Sequence, residues 1–255
     1  MQFDESLLMG SIFAYLWPLF RIVGFFFMAP VFSSQFLTMK LRLMIALMLA
    51  CVFYQQPSHI IEDYTWAQYL VTAAQEILLG LAMAMTVQFV FDALIVAGQT
   101  IAMSMGLGFA TMIDPMNGSS VPVISQVIVL SCVLLFLSMD GHLSLISLLQ
   151  QSFVLLPIGK LGDFFWHVES LVKLSSLMFS IALHIALPCI TAILLVQLSF
   201  AVISRAAPSM NLFAVGFPMT ILMGFIFIFI MFEKILATFT HYIHQQFLVL
   251  SQWML

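Results

Sequence analysis

Residues Gly98–Pro122 read GQTIAMSMGLGFATMIDPMNGSSVP, and they divide a chain that otherwise consists of long apolar runs. Gly106-Leu107-Gly108 interrupts a helical run, since glycine loses the most backbone entropy in a helix and tolerates positive φ. Asp114-Pro115 and Asn117-Gly118 are turn dipeptides, and Ser119-Ser120 leads through Pro122 into the next apolar run. A non-helical segment rich in Met, Phe and Gly therefore lies between two helices of membrane grade. Lipid offers no partners to bare backbone amides, so such a segment lies outside the bilayer, is buried in protein, or lines a cavity. Loop statistics alone favour a polar connection at the membrane surface. Phe109, Met112, Ile113 and Met116 point the other way, because a solvated loop has little use for them. The stretch reads as a soft element inside a channel or assembly.

Composition narrows the class. The chain has 255 residues, of which 63% are hydrophobic and only 7% charged. Soluble domains carry about 25% charged residues, so this is a polytopic membrane or membrane-embedded protein. The net charge of −4 supplies no basic face for nucleic acid. Cys51, Cys132 and Cys189 lie in apolar runs without paired spacing, so they read as small buried hydrophobes rather than a disulfide framework or zinc site. There is no P-loop, HExxH, GxSxG or dinucleotide fingerprint. No enzyme activity, cofactor or metal is expected. The 26 Phe and 19 Met are abundant, and Met side chains repack readily around varied neighbours.

The apolar runs follow in order. The first, Leu7 to Phe32, is long enough to span, with Pro18 expected to kink it and Arg21 deep inside it. A charge at that depth costs about 2.5–3.5 kcal/mol, so Arg21 must pair. The second run, Leu43 to Tyr54, is short and reads as a buried or re-entrant helix. The third, Trp66 to Met105, would reach roughly 60 Å as one helix. It therefore breaks, with Gly80 and Gly98 as break points, or extends beyond the bilayer. Glu76 and Asp92 lie about 160° apart around that helix, so each needs its own partner; Arg21 is the nearby candidate for one.

The fourth run, Val123 to Leu149, is interrupted by Asp140-Gly141-His142, which reads as a kink or membrane-edge turn rather than a metal site. Phe164 to Ile203 and Met210 to Phe232 form a tight helical hairpin, with Arg205 complementing the dipole of the first helix. Glu233 and Lys234 close the last run, and a moderately polar tail with His241 and His244 follows. Hydropathy alone counts about six spans.

Several of these segments match a known family in order. Arg21-Ile-Val-Gly-Phe-Phe-Phe-Met-Ala-Pro-Val-Phe32, Arg42-Leu-Met-Ile-Ala-Leu47 and Glu76-Ile-Leu-Leu-Gly80 are three of them. Gly106-Leu-Gly-Phe-Ala-Thr-Met-Ile-Asp-Pro115, Asp140-Gly141-His142 and Arg205-Ala-Ala-Pro-Ser-Met-Asn211 complete the set. Together they resemble the FliR family of flagellar biosynthetic proteins, with relatives in injectisomes. The resemblance implies an all-α fold of membrane-associated helical hairpins. Residues 1–185 would form a FliP-like part with a central plug loop (106–122), and 186–255 a FliQ-like helical hairpin and tail.

It also implies a core subunit of the type III secretion export gate. With FliP and FliQ, and working with FlhB and FlhA, such a subunit closes a pore that exports unfolded flagellar proteins across the bacterial inner membrane at the flagellar basal body. Gly106, Gly108, Phe109, Met112, Ile113 and Met116 would form the plug or constriction, and Arg205 and Pro208 the partner-facing hairpin turn. Arg21, Glu76 and Asp92 would be buried charges. The alternative is a polytopic secondary transporter, with Glu76, Asp92 and His184 forming an intramembrane site.

Overall fold

The structure is a computed structural model that describes residues 5–33, 37–53, 65–108, 122–158, 168–206 and 212–253. Every regular element among them is an α-helix, as expected for an all-α protein. In chain order these are α1 (Glu5–Met28), α2 (Met39–Val52), α3 (Trp66–Ser104), α4 (Val123–Ser138), α5 (Gly141–Leu155), α6 (Val168–Ala206) and α7 (Leu212–Trp253).

Local chemistry sets several helix ends. Gln68 supplies half of a capping box at the start of α3: its Oε1 accepts from the Thr65 backbone N–H at 2.7 Å and from the Thr65 hydroxyl at 3.0 Å. At the other end, Gly106 adopts φ +88°, its N–H donates to Met103 O, and the Leu107 N–H reaches Ala102 O, both at 3.0 Å. This is a Schellman motif, and it stops α3 where only glycine sits without strain. Between α4 and α5, Asp140 holds φ +55°, which breaks the helix at the position where the sequence suggested a kink.

Among the described residues three helices are long and apolar enough to cross a membrane: α3, Val172–Ala206 of α6 and Gly216–Trp253 of α7. The count rises to four if α4 and α5 form one broken span. α2, at 14 residues, is too short to add a span, while α1 is an apolar helix of 24 residues that continues through Pro18. α3 runs unbroken through Gly80 and Gly98, so it extends past a bilayer's thickness instead of breaking. α7 likewise continues as one helix of 42 residues beyond Glu233-Lys234, where the sequence suggested a separate tail. Its residues stay helical because no Gly or Pro follows Gly224.

Two compact units emerge. The first comprises Met1–Phe89, Met139–Leu174 and His244–Leu255. Its core holds Trp17 stacked on Tyr69 at 6.0 Å, Ile22, Phe25, Leu79, Leu145, Leu149 and Phe153. The second comprises Val90–Ser138 and Ser175–Ile243. There Phe91 meets Phe136 and Phe239 edge-on at 5.5 and 5.1 Å, beside the buried thiols of Cys132 and Cys189. Gly98 lets α3 approach α4: a Cβ there would lie 2.6 Å from Ser125 Cα. Over the apolar 18-residue window of each span the buried share differs sharply, 61% in α3 against 17% in α7. From Leu79 to Ala102 α3 is mostly interior, whereas its first turns leave Trp66, Leu70 and Val71 exposed, and α7 presents apolar surface that needs a cover.

Candidate functional site

Two constellations tie helices together, one in each unit. In the first, Arg21 of α1 is fully buried, so its charge must be answered inside the protein. Its Nε donates to Glu76 Oε2 of α3 at 2.7 Å, and Glu76 is equally buried. Nη1 donates to the Ser152 carbonyl at 2.9 Å and to its hydroxyl at 3.2 Å, while Nη2 donates to the Leu156 carbonyl at 2.9 Å. Those carbonyls belong to the last turn and the cap of α5, where the helix dipole favours a cation; the Ser152 carbonyl also accepts the Leu156 N–H. The guanidinium also lies 4.5 Å from the centre of the Phe153 ring, a cation–π contact. One side chain thus fastens α1, α3 and α5 together.

Two glycines make room for this pin. A Cβ at Gly24 of α1 would overlap the Ile77 carbonyl, and one at Gly80 of α3 would overlap the Arg21 carbonyl. The backbones of α1 and α3 therefore touch on both sides of the ion pair, which is how small residues bring helices together in apolar surroundings. Glu76 Oε1 is buried with no hydrogen-bond partner among the described residues.

The second constellation holds the start of the central loop. Met105, fully buried, fills the space over Gly224 of α7, where a Cβ would fall 2.5 Å from Met105 Cε. A Cβ at Gly106 would meet the Phe217 ring at 2.9 Å. Gln197 of α6 donates from Nε2 to the Ser104 carbonyl at 2.8 Å, supplying a donor to a carbonyl at the end of α3. The chain therefore leaves α3 from a base fixed by both α6 and α7.

Gly106 and Gly108 lie at that base. Phe109, Met112, Ile113 and Met116, and Pro208 of the hairpin turn, lie outside the described residues. Arg205 is exposed in the last turn of α6. Asp92 is half-buried on α3 in the second unit, whereas Glu76 pairs with Arg21 in the first. Sequence reasoning missed Ser152 and the Leu156 carbonyl, because backbone acceptors leave no mark in a sequence. It also missed Gln197 and Gly224. A lone amide and a lone glycine within long apolar runs were the available signals.

The model of the bacterial export proteins, family 1, matches residues 12–246. The chain belongs to this family. The flagellar biosynthetic protein FliR of Escherichia coli (strain K12) is 37% identical over 82% of this chain and 80% of its own length. That of Aquifex aeolicus (strain VF5) is 32% identical over 90% and 89%. The surface presentation of antigens protein SpaR of Shigella sonnei is more distant, 24% identical over 83% and 82%. Membership makes the chain a bacterial export protein, and its long apolar helices give it a membrane location. One constellation locks helices of the first unit, and the other fixes the end of α3 in the second.

Proposed function

We propose that the chain is a core subunit of a type III secretion export gate in the bacterial inner membrane, at the flagellar basal body. With FliP-like and FliQ-like subunits it forms a closed pore for unfolded flagellar proteins, next to FlhA-like and FlhB-like components. Residues 1–185 take the FliP-like place and 186–255 the FliQ-like hairpin. The Arg205–Pro208 turn faces an FlhB-like partner at the cytoplasmic entrance. Residues 106–122 close the conduit, with Phe109, Met112, Ile113 and Met116 as the apolar seal.

The observation that carries this reading is the clamped base of the loop. A stopper that yields to a passing chain and returns must be soft at its tip and fixed at its root. The root is fixed by Gln197 and by Met105 over Gly224. The Gly, Met and Phe content beyond it supplies the softness. Of the Glu76, Asp92 and His184 that the transporter reading would use, Glu76 is fully buried and paired through Oε2 with Arg21. Purification tests the proposal directly. A tag on this chain should bring down FliP-like and FliQ-like subunits in one particle; a stable homo-oligomer without them would favour a transporter.

A further inference from the structure

A shallow, open groove lies between α6 and α7, lined by His184, Ile185, Pro188, Met231, Lys234, Ile235 and Thr238. Its polar groups are an imidazole, an ammonium and a hydroxyl, and no carboxylate lines it. Glu233 precedes Lys234 on α7, a step of about 100° around the helix, and does not border the pocket. His184 and Lys234 are both exposed, and neither forms an ion pair among the described residues. An ammonium, an imidazole and a hydroxyl bordering one groove supply the chemistry of an anion receptor.

The position of the pocket along the hairpin identifies the anion. From Ile185 to Ser204 on α6, and from Leu212 to Phe232 on α7, there is no Asp, Glu, Lys, Arg or His. Each window is about 20 residues, or about 30 Å of helix, which matches the hydrocarbon thickness of a bilayer. Arg205 closes the α6 window at the hairpin turn, while His184 and the Glu233-Lys234 pair close both windows at the far end. The pocket therefore stands at headgroup level. Below it, Leu187, Leu195, Phe229 and Ile230 are exposed along the same two helices and offer acyl chains a surface. We infer that His184, Lys234 and Thr238 bind the phosphate of an anionic phospholipid, which seals α6 against α7 at the membrane surface.

The test uses the assembled complex, captured through a tag on this chain and held in nanodiscs of phosphatidylglycerol and phosphatidylethanolamine. Native mass spectrometry then counts retained lipids. Wild-type complex should retain phosphatidylglycerol in preference to phosphatidylethanolamine. The His184→Ala/Lys234→Ala double variant should retain about tenfold less phosphatidylglycerol, with its subunit composition unchanged. Lys234→Arg, which keeps the charge, and Lys40→Ala, far along the chain, should both retain it. Three results would overturn the inference. They are equal retention of the two lipids by wild type, undiminished phosphatidylglycerol in the double variant, or loss of a partner subunit from that variant with lipid unaffected. The last would mean that a partner's carboxylate occupies the pocket.

Discussion

Arg21 Nε and Glu76 Oε2 meet at 2.7 Å, and neither side chain has any exposed surface. A buried pair of this kind adds little net stability over an apolar pair, yet breaking it leaves one uncompensated charge. Arg21→Met alone strands Glu76, so it should lower the yield of assembled complex and cost about 3–5 kcal/mol. Arg21→Met combined with Glu76→Met should recover much of that loss. Thermal denaturation of the purified complex compares the three proteins. Equal melting temperatures for the single variant and wild type would show that the pair does not hold the helices.

The glycines beside this pair test the same junction by another route. Gly80→Val places side-chain atoms into the Arg21 carbonyl, and Gly24→Val into that of Ile77. Neither obstacle is a flexible side chain, so the helices must separate. Each change should cost at least about 1–3 kcal/mol, the usual penalty of overpacking. Gly108→Ala is the control, because a Cβ there meets only Met103 side-chain atoms at 3.6 Å or more. Complex assembly should fall for the first two and hold for the third.

At the loop base, Gly106→Val carries a double penalty. A β-branched residue at φ +88° is strained, and its Cβ would press on Phe217. Gly224→Ala conflicts with Met105, but that side chain is unbranched and flexible, so pairing it with Met105→Ala should relieve part of the clash. The expected sign of coupling in the double-mutant cycle is therefore compensating. Strict additivity would show that the two residues do not touch.

Much of this was legible in the sequence, for definite reasons. The apolar runs gave the helices, and Gly106 gave the end of α3, because a Schellman stop needs a residue at positive φ. A buried arginine demands a partner, and the sequence narrowed the choice for Arg21 to a few carboxylates. Gly80 and Gly98 were harder. A glycine within an apolar helix reads equally as a break or as a close contact, and only the neighbouring backbone decides. The continuation of α7 past Glu233 was hidden because polarity rises there while helix propensity does not fall. The Ser152 and Leu156 carbonyls that receive Arg21 carry no sequence signal at all.

The central claim is that residues 106–122 stop a conduit, held at their root by α6 and α7. Ion conductance of the purified complex in planar bilayers tests it most directly. Deleting Gly106–Asn117 should open a steady leak at rest, with Gln197→Leu giving a smaller one by freeing the Ser104 carbonyl. A deletion complex of normal subunit composition that stays as tight as wild type would contradict the account.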